Sequence, residues 1–158
     1  NVHPDNTDLP TVMATLILND PTTGQPIVIM DGTLITAFRT GAASGVAVKT
    51  LSRKNSSTLA LIGCGIQAWY HYAAIKQVRS IDTVYLCDLN KASLSALSQK
   101  INTDNPTIKC IKTSTEQACL NSDIIVTLTP SRSPIIESKW VRPGTHAFAI
   151  QRGDVICY

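Results

Sequence analysis

The feature that most constrains this chain is a glycine loop set between two unlike segments. Thr58 to Ile62 is a short, wholly apolar run, as expected of a strand buried on both faces. Gly63-Cys64-Gly65-Ile66-Gln67-Ala68 follows at once with the form GxGxxA, and Gln67 to Val78 reads as helix. Glycines cluster by chance, so the pattern gains its specificity from the strand before it and the helix after it. Gly63 permits the tight turn, Gly65 removes a Cβ that would block a pyrophosphate, and Ala68 keeps the helix close to the strand. Backbone N–H groups near Ile66 and Gln67 then point at the phosphates, where the helix dipole also favours negative charge.

A partner acid stands where such a site needs one. Asp88 lies twenty residues past Ala68, after the run Val84-Tyr85-Leu86-Cys87 and before Leu89. There a carboxylate can accept hydrogen bonds from the adenosine ribose hydroxyls, and it would repel a 2′-phosphate. This places NAD ahead of NADP, since no Arg or Lys directly follows Asp88 and Lys91 is the nearest cation. Asp88-Leu89-Asn90-Lys91 also suits a surface Asp that caps the following helix.

Strands and helices alternate after the polar linker Lys54-Asn55-Ser56-Ser57. Strands are expected at Thr83 to Cys87, Thr107 to Ile111, Asp123 to Leu128 and His146 to Ile150, with helices at Lys91 to Ile101 and Thr115 to Leu120. This rhythm predicts an α/β fold, a Rossmann-type parallel sheet with helices on both faces. Ahead of it, Thr11 to Leu18 and Ile27 to Met30 flank a Gly-containing turn and predict a β-hairpin, which must join a larger sheet or pack on a neighbour. Asp31 to Arg53 changes to helical spacing, with Gly41-Ala42-Ala43-Ser44-Gly45 inside it. Each Gly costs about 1 kcal/mol against Ala in a helix interior, so these small residues imply close approach, either of a sheet or of a ligand. The expected division is residues 1–36 as part of one domain and residues 37–158 as the dinucleotide-binding domain.

Composition closes off other classes. Hydrophobic residues make up 44% and charged residues 16% of the 158, which supports a buried core and excludes disorder. The net charge of +3 comes from scattered basic residues without aromatic interleaving, so nucleic acid is not an expected partner. Cys64, Cys87, Cys110, Cys119 and Cys157 form no CxxC pair and read as buried thiols in a reducing compartment, with no metal site. No stretch has the length of a membrane span and no signal peptide opens the chain, so a cytoplasmic location is expected. Both ends read as mid-protein material, which predicts a piece of a longer polypeptide.

Two further segments carry a family resemblance. They are Arg39-Thr40-Gly41-Ala42-Ala43-Ser44-Gly45 and Thr127-Leu128-Thr129-Pro130-Ser131-Arg132. In this order, with Pro10-Thr11-Val12 and Ile29-Met30-Asp31-Gly32-Thr33 ahead of them, the sequence resembles the ornithine cyclodeaminase/mu-crystallin family. Ile62 to Ala68 and the Thr-Pro-Ser-Arg element are most similar to its archaeal-type alanine dehydrogenase branch. The resemblance implies a homodimer with a discontinuous substrate and dimerisation domain, of which residues 1–36 would be part. It also implies NAD-dependent removal of hydride from the α-carbon of a small L-amino acid. The resulting imine is hydrolysed, cyclised with loss of ammonia, or reduced in the reverse direction.

Carried over by position, Arg39 matches the arginine that holds the substrate carboxylate beside the nicotinamide, and it counts among the cofactor contacts as well. A guanidinium fork suits that task, although the residue alone also reads as a surface Arg on an amphipathic helix. Thr40 matches a cofactor contact near the phosphates and Thr11 one near the nicotinamide. Thr129 and Ser131 match the loop where a dinucleotide crosses the sheet; Ser and Thr are also ordinary turn residues around Pro130. The family's catalytic lysine would lie before Asn1, and its acid/base aspartate has only Asp154 near its place, in a glycine context that differs. The catalytic residues are therefore unassigned, and the alternative is an inactive fragment or an NAD(P)-binding module of mu-crystallin type. His3, His71 and His146 have no metal-like spacing, and His71 reads as a helix-surface residue.

Overall fold

A computed structural model describes residues 12–131 and 133–150. A hairpin comes first, β1 (Thr15–Asn19) and β2 (Pro26–Asp31), paired antiparallel. Helix α1 (Thr33–Leu51) follows. Strands and helices then alternate through β3 (Thr58–Ile62), α2 (Ile66–Ile75), β4 (Thr83–Cys87), α3 (Lys91–Asp104), β5 (Lys109–Lys112), α4 (Thr115–Asn121), β6 (Ile124–Thr127) and β7 (His146–Ala149). A 3-10 turn, Ser138–Trp140, lies between β6 and β7.

Among the described residues β3 to β7 form one parallel sheet in the order β5-β4-β3-β6-β7. The chain works outward from β3 to β5, then returns to β6 on the other side of β3, so the strand order reverses between β3 and β6. Side chains that alternate along β3 enter two cores. Leu59 and Leu61 meet Val48, Ala68, Tyr72, Ile75, Leu97 and Ile101 from α1, α2 and α3. Ala60 and Ile62 meet Ala118, Cys119 and Ile136 on the α4 side. The expected Rossmann-type sheet with helices on both faces is the observed architecture. The caps of α3 and α4 are local: Asn90 accepts from Ala92 and Ser93, and Ser114 accepts from Gln117, relieving donors that a helix start leaves orphaned.

Three expectations need correction. Gly41 and Gly45 do not pack on the sheet: a Cβ at Gly41 would stand 2.5 Å from the Tyr70 carbonyl oxygen, and one at Gly45 would stand 3.3 Å from the Ala74 Cβ. The close partner is α2, through the Tyr70 backbone and Ala74. His71 is not on the surface but fully buried, with its Nδ1 2.7 Å from the Ser44 hydroxyl. The hairpin does not join the larger sheet among the described residues; its exposed Ile17, Leu18, Ile27 and Ile29 are the side chains that the other expectation, packing on a neighbour, would cover.

Candidate functional site

Register builds the site. Ile62 is level with Cys87 on one side and Thr127 on the other, and Thr127 is level with Ala149. Four strands thus end on one line, and their loops open at the same carboxyl edge. At the reversal of strand order, the loop after β3 faces the loop after β6, the place where open α/β sheets form a ligand crevice.

Gly63 sits there with φ +99, and a Cβ on it would come within 2.9 Å of the Leu128 carbonyl carbon and 3.2 Å of Thr129 Cγ2. Both the turn and the neighbouring loop therefore demand glycine. Its N–H donates to the Cys87 carbonyl at 2.8 Å. Gly65 has the opposite surroundings: a Cβ there would meet nothing within 4 Å, so it faces open space. It precedes the first turn of α2, which has no acidic residue and no side-chain cap. The N–H groups of Gly65, Ile66 and Gln67 have no partner among the described residues. Gln67 Oε1 is buried, also without one.

Asp88 reaches into the same loop. One of its oxygens accepts from the Cys64 N–H at 2.5 Å and the other from the Asn90 N–H at 2.7 Å. A carboxylate offers about four acceptor directions, so two remain for a ligand's hydroxyls. The helix-capping alternative for Asp88 is not what is seen, since Asn90 caps α3. Burial and the nearby Asp88 charge push the Cys64 thiol up to about 12, so it stays protonated and donates towards the Cys87 carbonyl, 3.6 Å away.

Helix α1 reaches the crevice because it lies along α2 in the same direction. Gly41 touches Tyr70, Ser44 bonds to His71 and Gly45 touches Ala74, so residue numbers rise together along both helices. Thr40 immediately precedes Gly41, whose partner Tyr70 lies about one turn past Ile66 at the start of α2. The Thr40 hydroxyl donates back to the Thr36 carbonyl at 2.7 Å. Arg39 is exposed, and no hydrogen bond or ion pair engages its guanidinium among the described residues. Beyond the far end of α2, Arg79 donates to the carbonyls of Val48, Lys49, Ser52 and Arg53 and to the Ser52 hydroxyl, closing the C-terminus of α1 with a cation.

The remaining sequence-derived residues are distributed unevenly. Thr129 is half-buried beside Gly63, and the Ser131 N–H lies 3.3 Å from the Thr129 hydroxyl. Ile66 and Leu89 flank the loop with largely uncovered apolar side chains. Thr11 and Asp154 lie outside the described residues. Gly63, Gly65, Ile66, Gln67, Asp88, Leu89, Thr129 and Ser131 thus share the carboxyl edge, whereas no polar contact ties Arg39 to the glycine loop. Sequence reasoning missed Ser44, His71 and Arg79. A signal existed for His71: with Ala68, Tyr72 and Ile75 it falls on one face of α2 at core spacing.

Comparison with known proteins supplies independent findings. A family model described as ornithine cyclodeaminase/mu-crystallin family matches residues 1–154. An alanine dehydrogenase of Archaeoglobus fulgidus is 44% identical over 153 residues, covering 95% of this chain and 46% of that protein. A structure of Thermococcus litoralis Δ1-pyrroline-2-carboxylate reductase in complex with NADH and L-proline superposes with a TM-score of 0.85 at 39% identity, covering 89% of this chain and 44% of the other. An archaeal alanine dehydrogenase dimer with bound NAD gives a TM-score of 0.84 at 41% identity, covering 89% and 43%. The chain thus spans less than half the length of each.

Proposed function

From the premise that this chain belongs to the ornithine cyclodeaminase/mu-crystallin family, we propose that it is the dinucleotide-binding part of an NAD-dependent enzyme acting on a small L-amino acid or its imine. The observation that carries the reading is the pairing at the carboxyl edge of free N–H groups around Gly65 with the Asp88 carboxylate. Such a pairing matches a pyrophosphate beside a ribose with free hydroxyls. The open space at Gly65 fits such a ligand. NAD, when bound, supplies the hydride acceptor.

The chain's own residues then have separate tasks. The N–H groups of Gly65, Ile66 and Gln67 bind phosphate, and Asp88 accepts from the adenosine ribose while disfavouring a 2′-phosphate. Ile66 and Leu89 cover the apolar faces of the adenosine end. Thr40 contacts the cofactor near its phosphates, Thr129 and Ser131 line the path across the sheet, and Thr11 belongs near the nicotinamide. Arg39 grips the substrate carboxylate and so orients its α-hydrogen. Residues 37–158 form the dinucleotide half and residues 1–36 belong to a substrate and dimerisation half, a division supported by the hairpin's exposed apolar side chains. The full protein works as a homodimer in the cytoplasm. Asp154 remains a candidate acid/base.

Titrating the chain with NADH and NADPH, and following nicotinamide fluorescence, tests the central claim. NADH should bind more tightly. Asp88→Ala should weaken NADH by about tenfold, the worth of one charge-assisted hydrogen bond, and narrow its lead over NADPH. An unchanged ratio removes Asp88 from the site. Arg39→Ala should spare NADH binding. Adding pyruvate and ammonium, or ornithine with NAD, separates a working enzyme from a binding module by the presence of turnover.

A further inference from the structure

The seam between α1 and α2 contains one buried polar pair that the proposed site does not use. Ser44 and His71 are 2% and 0% exposed, and their Oγ and Nδ1 atoms are 2.7 Å apart. Glycine contacts bracket the pair, Gly41 on the Tyr70 backbone and Gly45 on Ala74. His71 Nε2 is buried with no partner among the described residues.

This arrangement needs a reason, because burying polar groups costs free energy unless they are fully bonded. Register supplies one. A helix face of Gly41, Ser44 and Gly45 is smooth, and smooth faces lack the ridges that lock neighbouring helices against sliding or tilting. A directional hydrogen bond restores that definition, the best-attested use of a polar group in an apolar seam. At the far end, Arg79 grips the carbonyls of Val48, Lys49 and Ser52. With that end held, α1 is a lever of about 18 Å from Ser52 back to Thr40. The Phe38–Tyr70 ring contact sits nearer the tip, its centroids 5.0 Å apart, with Phe38 exposed.

We propose that Ser44 and His71 are positioning residues that set the register and tilt of α1 on α2, and through it where Thr40 and Arg39 stand relative to the glycine loop. The assignment rests on the reading of that loop as a dinucleotide site. Neither side chain touches the ligand. Adenosine, which carries no phosphate, engages only the Asp88 end, whereas the phosphates of the full dinucleotide also reach the proposed contact at Thr40. Loss of the pair should therefore discriminate between the two ligands, which a general loss of stability would not do.

Two measurements on the chain test this. Backbone residual dipolar couplings of the ligand-free protein compare the α1 axis with the sheet. In Ser44→Ala the α1 couplings should cease to fit the alignment of β3, β4 and α2, and unchanged couplings overturn the proposal. Titrations with NADH and adenosine form the second arm. Ser44→Ala and His71→Leu should weaken NADH by about tenfold and leave adenosine within twofold. His71→Asn, whose amide places a polar atom near the Nδ1 position, should recover most of the NADH affinity. Equal losses for both ligands, or none, overturn the positioning role. If wild-type chain fails to bind NADH while its couplings respond as described, the site reading falls and the register assignment stands.

Discussion

At the residue scale, Gly63 is constrained from two directions at once. Its φ of +99 lies where an L side chain is strained, and the Leu128 backbone stands where a Cβ would go. Gly63→Ala should cost about 2–4 kcal/mol, combining backbone strain with a forced shift of packed backbone. Chemical denaturation reads this directly, and a loss under 1 kcal/mol would mean that the loop after β6 yields freely. His71 sets a second residue-scale expectation. Burial pulls its imidazole down to about 4 from the usual 6.5, so the folded protein keeps it neutral. Between those values the unfolded chain binds a proton that the folded chain refuses. The contribution is full above pH 6.5 and is lost as pH falls towards 4, amounting to on the order of 3 kcal/mol. His71→Asn should flatten that acid slope in urea titrations between pH 7 and 4.

At the scale of elements, legibility followed how local the cause is. The bounds of β4 could be read as Thr83 to Cys87 because an apolar run stands between turn residues, and β4 spans those residues. The glycine loop was legible for the same reason. The meaning of Gly41 and Gly45 was not, because it depends on which neighbour approaches, and α2 is brought to them only by the whole sheet. Arg79 was equally hidden: its partners lie 26 to 31 residues earlier in sequence apart from Val78. Arg79→Ala should destabilise the chain by about 2–3 kcal/mol, since it strips several carbonyl partners and the cation from one helix end. Arg79→Lys should recover less than half, because an ammonium cannot span those carbonyls as a fork does. Full rescue by Lys would show that charge alone closes α1.

For the whole molecule, Asp123 is the staple of the amino edge. Its carboxylate accepts from the N–H groups of Ser57 and Thr58, from the Thr58 hydroxyl and from Arg53, and Arg142 stands 3.6 Å away. Burial pushes its pKa up, but those donors outweigh it and hold the carboxyl below its usual value. The stability it contributes is complete above the unfolded carboxylate range near 3.8 and is lost as pH falls through the lower folded value. Asp123→Asn should cost about 1–3 kcal/mol at pH 7, with a difference that shrinks in strong acid. Salt should alter it little, since half-exposed Arg53 contributes a screened pair.

Those bonds join the starts of β3 and β6 at the end of the sheet opposite to Gly63, Gly65 and Asp88. The protein therefore keeps its foundations and its chemistry on separate edges. Loops after β3, β4 and β6 can change around a fixed Gly63 without touching the Asp123 staple, so a lineage built on this scaffold is free to exchange one ligand for another while inheriting the same folded frame. For engineering, the consequence is a division of labour: diversify the carboxyl-edge loops around Gly63, and leave Arg53, Thr58 and Asp123 alone.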